Sequence, residues 1–299
     1  MSMNRLNLES PTNNKEPNIS GEGITNNEGH PSESNDILSV QEMLPFLKVK
    51  EVLKNITIYP SLESTNNTAK ELATKGADHG TIIMADSQWG GRGRYNRSFY
   101  SPAGQGIYIS FILRPSKHDL INNPAFITSY AAVSVCQAIE ATTGKDPKIK
   151  WVNDIFLDGK KICGILAEAN TNLETGSMPW LVLGIGINFT TPDFGFPIEI
   201  KETAGALFSK DKPTTTRNHL TATLINGILD FEDTWDRDNI FGQYKERLFI
   251  LGQRITITQP NGAFFDAVAM DMDNTGRLIV KKDNGELIAL SAGEVSLKI

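Results

Sequence analysis

Three arginines fall within six residues, at Arg92, Arg94 and Arg97, with Gly90, Gly91 and Gly93 among them, and no acidic side chain lies between Asp86 and Asp119. Glycine lets the backbone turn with φ > 0, and successive N–H groups can then converge on an anion. Guanidinium forks are planar, always charged and matched to phosphate or carboxylate oxygens. Residues 88–102 therefore read as a loop that receives an anion. The stretch lacks the G-x-x-x-x-G-K-[ST] and G-x-G-x-x-G patterns of common phosphate loops. An RNA-binding arginine–glycine segment is the alternative.

A second group lies in residues 148–168, where Lys150, Asn153, Asp154 and Lys161 accompany two β-type runs joined at Asp158-Gly159. That dipeptide is a strong hairpin signal. It predicts Lys150, Asn153 and Asp154 on one strand and Lys161 near the start of its partner, with the shared faces set by the turn register. Cations here would stabilise charge developing on a reacting phosphorus or carboxylate, and a carboxylate could act as a base. A third group, Ser64-Thr65-Asn66, precedes a helical run. As a helix N-cap it needs no further explanation, although a helix N-terminus also offers N–H groups to a polar ligand.

These side chains need a rigid frame. Residues 81–85 and 106–113 are β-branched and aromatic and predict strands on either side of the arginine loop, which favours a held ligand loop over a disordered tail. Residues 181–188 predict a buried strand carrying Gly184 and Gly186, as Gly164 is carried by the run before it. Glycine inside a strand marks either a close approach to the backbone or a bulge. Apolar spacing predicts a helix over residues 124–143 that Gly144 stops, and one long helix or a helix pair over residues 218–250. Residues 38–53 predict one or two short helices, too short for a winged helix-turn-helix. Short alternating segments after Gly252, separated by glycine turns, predict a small five-stranded SH3-like barrel.

The whole chain sets limits. Its 299 residues allow one large domain and a small one, and 39% hydrophobic with 21% charged residues is ordinary for a globular protein. A net charge of −6 argues against a general nucleic-acid binder. Cys136 and Cys163 show no metal-type spacing, and His30, His79, His118 and His219 are scattered; reduced cysteines in a cytoplasmic protein are the expectation. No apolar run is long enough for a membrane span. Residues 1–36 are polar and lack aromatics, so they are expected to form a disordered tail that catalysis does not need.

Read together, Ser64-Thr65-Asn66, Gln88 with Gly91-Arg92-Gly93-Arg94, Arg97 and Ser101-Pro102, Lys150-Trp151-Val152-Asn153-Asp154, Lys161 with Gly164-Ile165-Leu166, Gly184-Ile185-Gly186-Ile187-Asn188 and Gly293-Glu294-Val295-Ser296-Leu297 resemble the biotin–protein ligase (biotin–[acetyl-CoA-carboxylase] ligase) family. They occur in that family's order and spacing. Phe99 stands where the family often has tryptophan, and Val152 replaces the usual proline; altered packing is the expectation. The DNA-binding domain of some members is not expected here, so DNA is not an expected partner.

The resemblance implies an α+β fold: a mixed-sheet catalytic domain of the biotin/lipoate ligase type over residues 37–251, then the SH3-like barrel over 252–299. It implies ATP with Mg²⁺, biotin as substrate, and transfer of biotin through biotinyl-5′-AMP to a lysine of a biotin carboxyl carrier protein; a homodimer is allowed. Arg94, Lys161 and Asp154 are the implied catalytic residues. Ser64, Thr65, Asn66, Gln88, Arg92, Gly93, Arg94, Lys161, Gly164 and Gly186 would bind biotin, with Gly164 and Gly186 giving it bare strand backbone. Gly91, Arg94, Arg97, Phe99, Lys150, Trp151, Asn153 and Asn188 would bind the nucleotide, Trp151 being equally suited to a core. No protein metal site is expected. A lipoate–protein ligase of the same fold is the alternative within the class, and a non-catalytic nucleic-acid-binding protein the alternative outside it. The glycine-rich segment 90–96 is expected to lack backbone partners until an anion binds.

Overall fold

The computed structural model describes residues 36–115, 124–172, 177–209, 212–230, 236–260 and 262–297; the expectation for residues 1–36 lies almost wholly outside them. The fold is α+β. Seven strands, β1 (Ile56–Tyr59), β2 (Thr81–Ala85), β3 (Gly106–Leu113), β4 (Lys148–Lys150), β5 (Asp154–Leu157), β6 (Lys160–Asn172) and β7 (Ser177–Asn188), form one sheet in the order β1-β2-β3-β7-β6-β5-β4. Only the β1–β2 pair is parallel. Among the described residues five α-helices accompany it: α1 (Val40–Met43), α2 (Thr65–Thr74), α3 (Pro124–Thr143), α4 (Arg217–Leu229) and α5 (Arg237–Glu246). The region read as one helix or two is thus a pair.

Strand alternation decides what faces the site, since successive side chains leave a strand on opposite faces. Ile82, Met84, Ile107, Ile109, Phe111, Leu183, Ile185 and Ile187 all join the main core, on the side where α3 and α4 pack. Ile83, Ile112 and Val182 point the other way and pack with Ala69 and Ala73 of α2. The same face therefore carries Tyr108 and Ser110 of β3, and Gly184, Gly186 and Asn188 of β7. Cross-strand pairing places Gly186 between Tyr108 and Gly164, and Gly184 between Ser110 and Leu166.

The Asp158-Gly159 hairpin forms as expected, with φ of +50° and +74° at its two turn residues. One detail differs from the sequence reading. Lys150 and Asp154 do not share a strand: a turn at residues 151–153 separates β4 from β5, and the two residues face each other across that pair. The composition of this turn is as apolar as a strand, which hid the break.

The C-terminal strands are β8 (Arg254–Thr258), β9 (Phe264–Met272), β10 (Leu278–Lys281), β11 (Leu287–Leu290) and β12 (Glu294–Leu297), antiparallel in the order β11-β10-β9-β8-β12. This is the expected small SH3-like unit. Its buried Ile255, Ile257, Leu278, Val280 and Val295 belong to the same apolar cluster as the main core. Trp151 lies at the junction, 3% exposed, and its indole N–H donates to the Gly276 carbonyl at 3.1 Å.

Candidate functional site

A cavity of about 610 Å³ opens on the α2 face of the sheet. Ser64, Thr65, Asn66 and Gln88 line one end. Arg92, Gly93, Arg94, Arg97 and Phe99 come from the arginine loop, and Gly164 and Gly186 from the sheet. Lys150, Trp151, Asn153, Asp154 and Lys161 line the other side, and β12 closes it with Glu294 and Ser296. Five cations (Arg92, Arg94, Arg97, Lys150, Lys161) meet three carboxylates (Asp154, Glu202, Glu294) among these lining residues. The site is thus net positive in a chain whose overall charge is −6, as an anion site requires.

Two expected residues fall elsewhere. Gly91 does not line the cavity; it holds the loop, its carbonyl accepting from Phe99 N–H at 2.8 Å, and an added Cβ would collide with the Phe99 carbonyl. Asn188 lines a smaller neighbouring cavity of about 100 Å³, with Phe99, Lys161 and Phe196. Its amide donates to the Gly205 carbonyl at 2.8 Å.

The start of α2 is not capped by its own side chains, as the sequence alone suggested. Ser64 occupies the N-cap position without a side-chain hydrogen bond. Gln88 does the work instead: its Oε1 accepts from the Thr65 N–H at 2.8 Å and the Thr65 hydroxyl at 3.2 Å, while its Nε2 donates to Ser101 at 2.9 Å. Behind them Ser110, fully buried, donates to Asn66 Oδ1 at 2.6 Å and stands 2.8 Å from Thr65 Oγ1. Asn66 in turn donates to Glu168 at 3.0 Å. Glu168 also meets Lys70 at 2.9 Å and Arg92 at 3.2 Å. Burial pushes the Glu168 carboxyl up, but hydrogen bonds from Lys70 and Asn66 and the Arg92 charge outweigh it and hold it below the usual range. Sequence reasoning missed Ser110 and Glu168. A hydroxyl within the apolar run of β3 and a carboxylate after Ile165-Leu166-Ala167 were the available signal.

The arginine loop supplies its own backbone partners, contrary to expectation. Gln88 N–H donates to Ser101, Phe99 to Gly91, and Gly93 to Arg97, at 3.0, 2.8 and 2.7 Å. Arg94 then reaches across: Nη1 donates to Asn153 Oδ1 at 2.7 Å, and Nη2 to the Gly293 carbonyl at 2.8 Å and the Tyr95 hydroxyl at 2.9 Å. Arg97 pairs with Glu294. The corner before β12 therefore holds both arginines.

Gly164 and Gly186 are not bare. The Phe99 ring lies on both: an added Cβ would stand 3.4 Å from it at Gly164 and 2.6 Å at Gly186. Gly184 likewise seats the Asn66 amide. Close approach, rather than a bulge, explains these glycines.

Lys161 Nζ lies 2.6 Å from Asp154 Oδ1. Lys150 stands 5.2 Å over the Phe156 ring; burial lowers its pKa, which the Asp154 charge only partly opposes. Cys163 and Cys136 are buried free thiols, the latter pushed up to about 12 by desolvation, so both are inert. Among the described residues no three His, Cys, Asp or Glu side chains cluster as metal ligands, and no helix is long and apolar enough to cross a membrane.

Residues 58–188 match the model of the Biotin/lipoate A/B protein ligase family, and residues 250–298 match that of the Biotin protein ligase C terminal domain. The chain is 41% identical over 255 residues to the Bifunctional ligase/repressor BirA of Bacillus spizizenii, covering 83% of this chain and 76% of that protein. It is 27% identical to the Biotin--[acetyl-CoA-carboxylase] ligase of Mycobacterium tuberculosis, over 81% of this chain and 88% of that one. A solved biotin protein ligase from Aquifex aeolicus in complex with biotin and ATP superposes with a TM-score of 0.66 at 25% identity, covering 82% of this chain and 99% of that one. The chain belongs to the biotin protein ligase family.

Proposed function

We infer that this protein is a biotin–protein ligase that joins biotin to a lysine of a carrier protein in two steps. The biotin carboxylate attacks the α-phosphorus of ATP, the α–β bridge breaks, and pyrophosphate leaves. The carrier lysine then attacks the acyl carbon of biotinyl-5′-AMP, AMP leaves, and the amine loses its proton. The observation that carries this reading is the net-positive cavity under the arginine loop in a chain of this family. Two anions must meet there, and fixed cations offset their repulsion.

Within that reaction we assign Arg94 and Lys161 to the reacting carboxylate and α-phosphate, with Lys150 on the phosphates. Asp154, 2.6 Å from Lys161, fits a role in setting that ammonium better than a role as free base. Ser64, Thr65, Asn66 and Gln88 suit the polar ring of biotin. Asn188 and Phe99, beside the smaller cavity, suit the base of the nucleotide. Mg²⁺ would enter as the ATP complex, since that ion takes phosphates and water with one or two carboxylates; Asp154, paired with Lys161 and facing Lys150 across β4 and β5, would be the carboxylate offered to it. The catalytic and C-terminal units would meet near residue 251, the acceptor would be a biotin carboxyl carrier protein, and the setting would be cytoplasmic. DNA is not part of this reading, and specific retention of a duplex at physiological salt would count against it.

The test is pyrophosphate release on mixing with ATP and either biotin or lipoate, followed by transfer of label to a carrier lysine. Release with biotin is expected; release with lipoate alone, or with neither, overturns the assignment.

A further inference from the structure

The tip of the arginine loop is a turn from Arg94 to Arg97, closed by the Arg97 N–H donating to the Arg94 carbonyl at 3.1 Å. Its two central residues, Tyr95 and Asn96, have φ of +54° and +59°. Such a turn asks for Gly, Asn or Asp at both places. The chain meets that demand at the β5–β6 turn, where Asp158 and Gly159 take φ of +50° and +74°. At the loop tip Asn96 is suitable, but Tyr95 is not: an aromatic L-residue is disfavoured in the left-handed region. Strain kept at a ligand loop points to a use for the side chain that causes it.

The use is visible in the contacts of Arg94. Its guanidinium carbon sits 4.9 Å from the centre of the Tyr95 ring, and its Nη2 donates to the Tyr95 hydroxyl at 2.9 Å. The ring and hydroxyl thus hold one side of the guanidinium while Asn153 and Gly293 hold the others. Tyr95 is itself 47% exposed, so it contributes little to any core. With the backbone of Tyr95 in this left-handed turn, its ring lies against the Arg94 guanidinium.

We propose that Tyr95 is a positioning residue, retained at a strained backbone position to aim Arg94 into the cavity over the acyl-adenylate. This rests on the ligase reading above. Arg94 has long rotamers to choose from; a ring beneath it restricts the choice and directs the charge at the product that must be held. The residue would act on retention of the intermediate and leave the fold unsupported by it.

Strain and aim predict opposite responses, which makes the proposal testable. Tyr95→Gly relieves the turn and removes the ring; Tyr95→Phe keeps ring and strain but loses the hydroxyl. Thermal midpoints and single-turnover release of labelled biotinyl-5′-AMP are measured for the full chain and both variants. The glycine variant should melt no lower than the parent yet release adenylate about three- to tenfold faster. The phenylalanine variant should lie between the two in release. The proposal is overturned if the glycine variant retains adenylate as long as the parent, or if faster release comes with a lower melting point, or if phenylalanine rescues nothing. A parent that forms no adenylate from biotin and ATP would overturn the ligase reading itself, an outcome separate from these.

Discussion

Phe99 rests on Gly186, so closely that a methyl group added at the glycine would stand 2.6 Å from the ring. Tyr108, paired with Gly186 across the sheet, meets the same ring edge-on at 6.4 Å. The glycine therefore seats a loop residue that borders both cavities.

Gly186→Ala should expel the ring from its seat. Overpacking of this kind costs about 1–3 kcal/mol, and the loop should lose its register over the site. A lower melting point and a raised KM for ATP are expected. In a Gly186→Ala, Phe99→Ala pair the two losses should fall short of their sum, because both remove one contact. Simple additivity would show that the ring and the glycine act independently.

Much of this was legible in the sequence, and the limits have physical reasons. The strands on either side of the arginine loop could be read because Thr81–Ala85 and Gly106–Leu113 are short β-branched and aromatic runs, buried on both faces of the sheet. The motif residues could be named because Arg92, Arg94, Arg97, Lys150, Asn153, Asp154 and Lys161 are clustered charges and amides whose order and spacing resemble the family's. What each glycine seats could not be read, because Asn66 and Phe99 come from elements far from Gly184 and Gly186 in the chain. Ser110 and Glu168 acquire meaning only once α2 lies across the sheet and brings Asn66 between them. The hold of Gly293 on Arg94 spans 199 residues, and no local pattern encodes it.

Lys161→Ala should slow adenylation on the order of 100-fold if its charge acts mainly in the transition state. The ion pair with Asp154, whose side chain is only 20% exposed, adds a cost in stability. Removing one partner leaves a half-buried carboxylate behind. Adding Asp154→Asn should restore much of the melting point without restoring the rate. Recovery of both together would make the pair structural.

Lys150 gives a pH signature. Burial lowers its pKa, so on raising the pH this cation is lost earlier than an ordinary lysine's. The KM for ATP should climb with pH below the usual lysine range, and Lys150→Arg, always charged, should flatten the climb. Stability has the opposite sign. The unfolded chain binds this proton more tightly, so the stability contribution of the group rises with pH across the same window. A KM that climbs identically in the arginine variant would assign the effect to another group.

Arg94 and Arg97 both reach the corner at Gly293 and Glu294, but the two contacts should differ in worth. The Arg97 side chain is 68% exposed, and exposed ion pairs contribute about 0–1 kcal/mol. Arg94 instead donates to Asn153, Gly293 and Tyr95 at 2.7, 2.8 and 2.9 Å on the cavity side of the loop. Hydrogen bonds to a charged group are worth about 1.5–3 kcal/mol. Arg94→Gly should therefore shorten retention of biotinyl-5′-AMP by roughly one to two orders of magnitude, and the escaping mixed anhydride, no longer shielded from water and stray amines, should label bystander proteins. Glu294→Gln, which frees Arg97 alone, should change release by no more than about twofold, and less again at high salt. Labelled adenylate followed by single-turnover release separates the two. Equal losses in both variants would mean that the C-terminal corner, rather than Arg94, governs the hold on the intermediate.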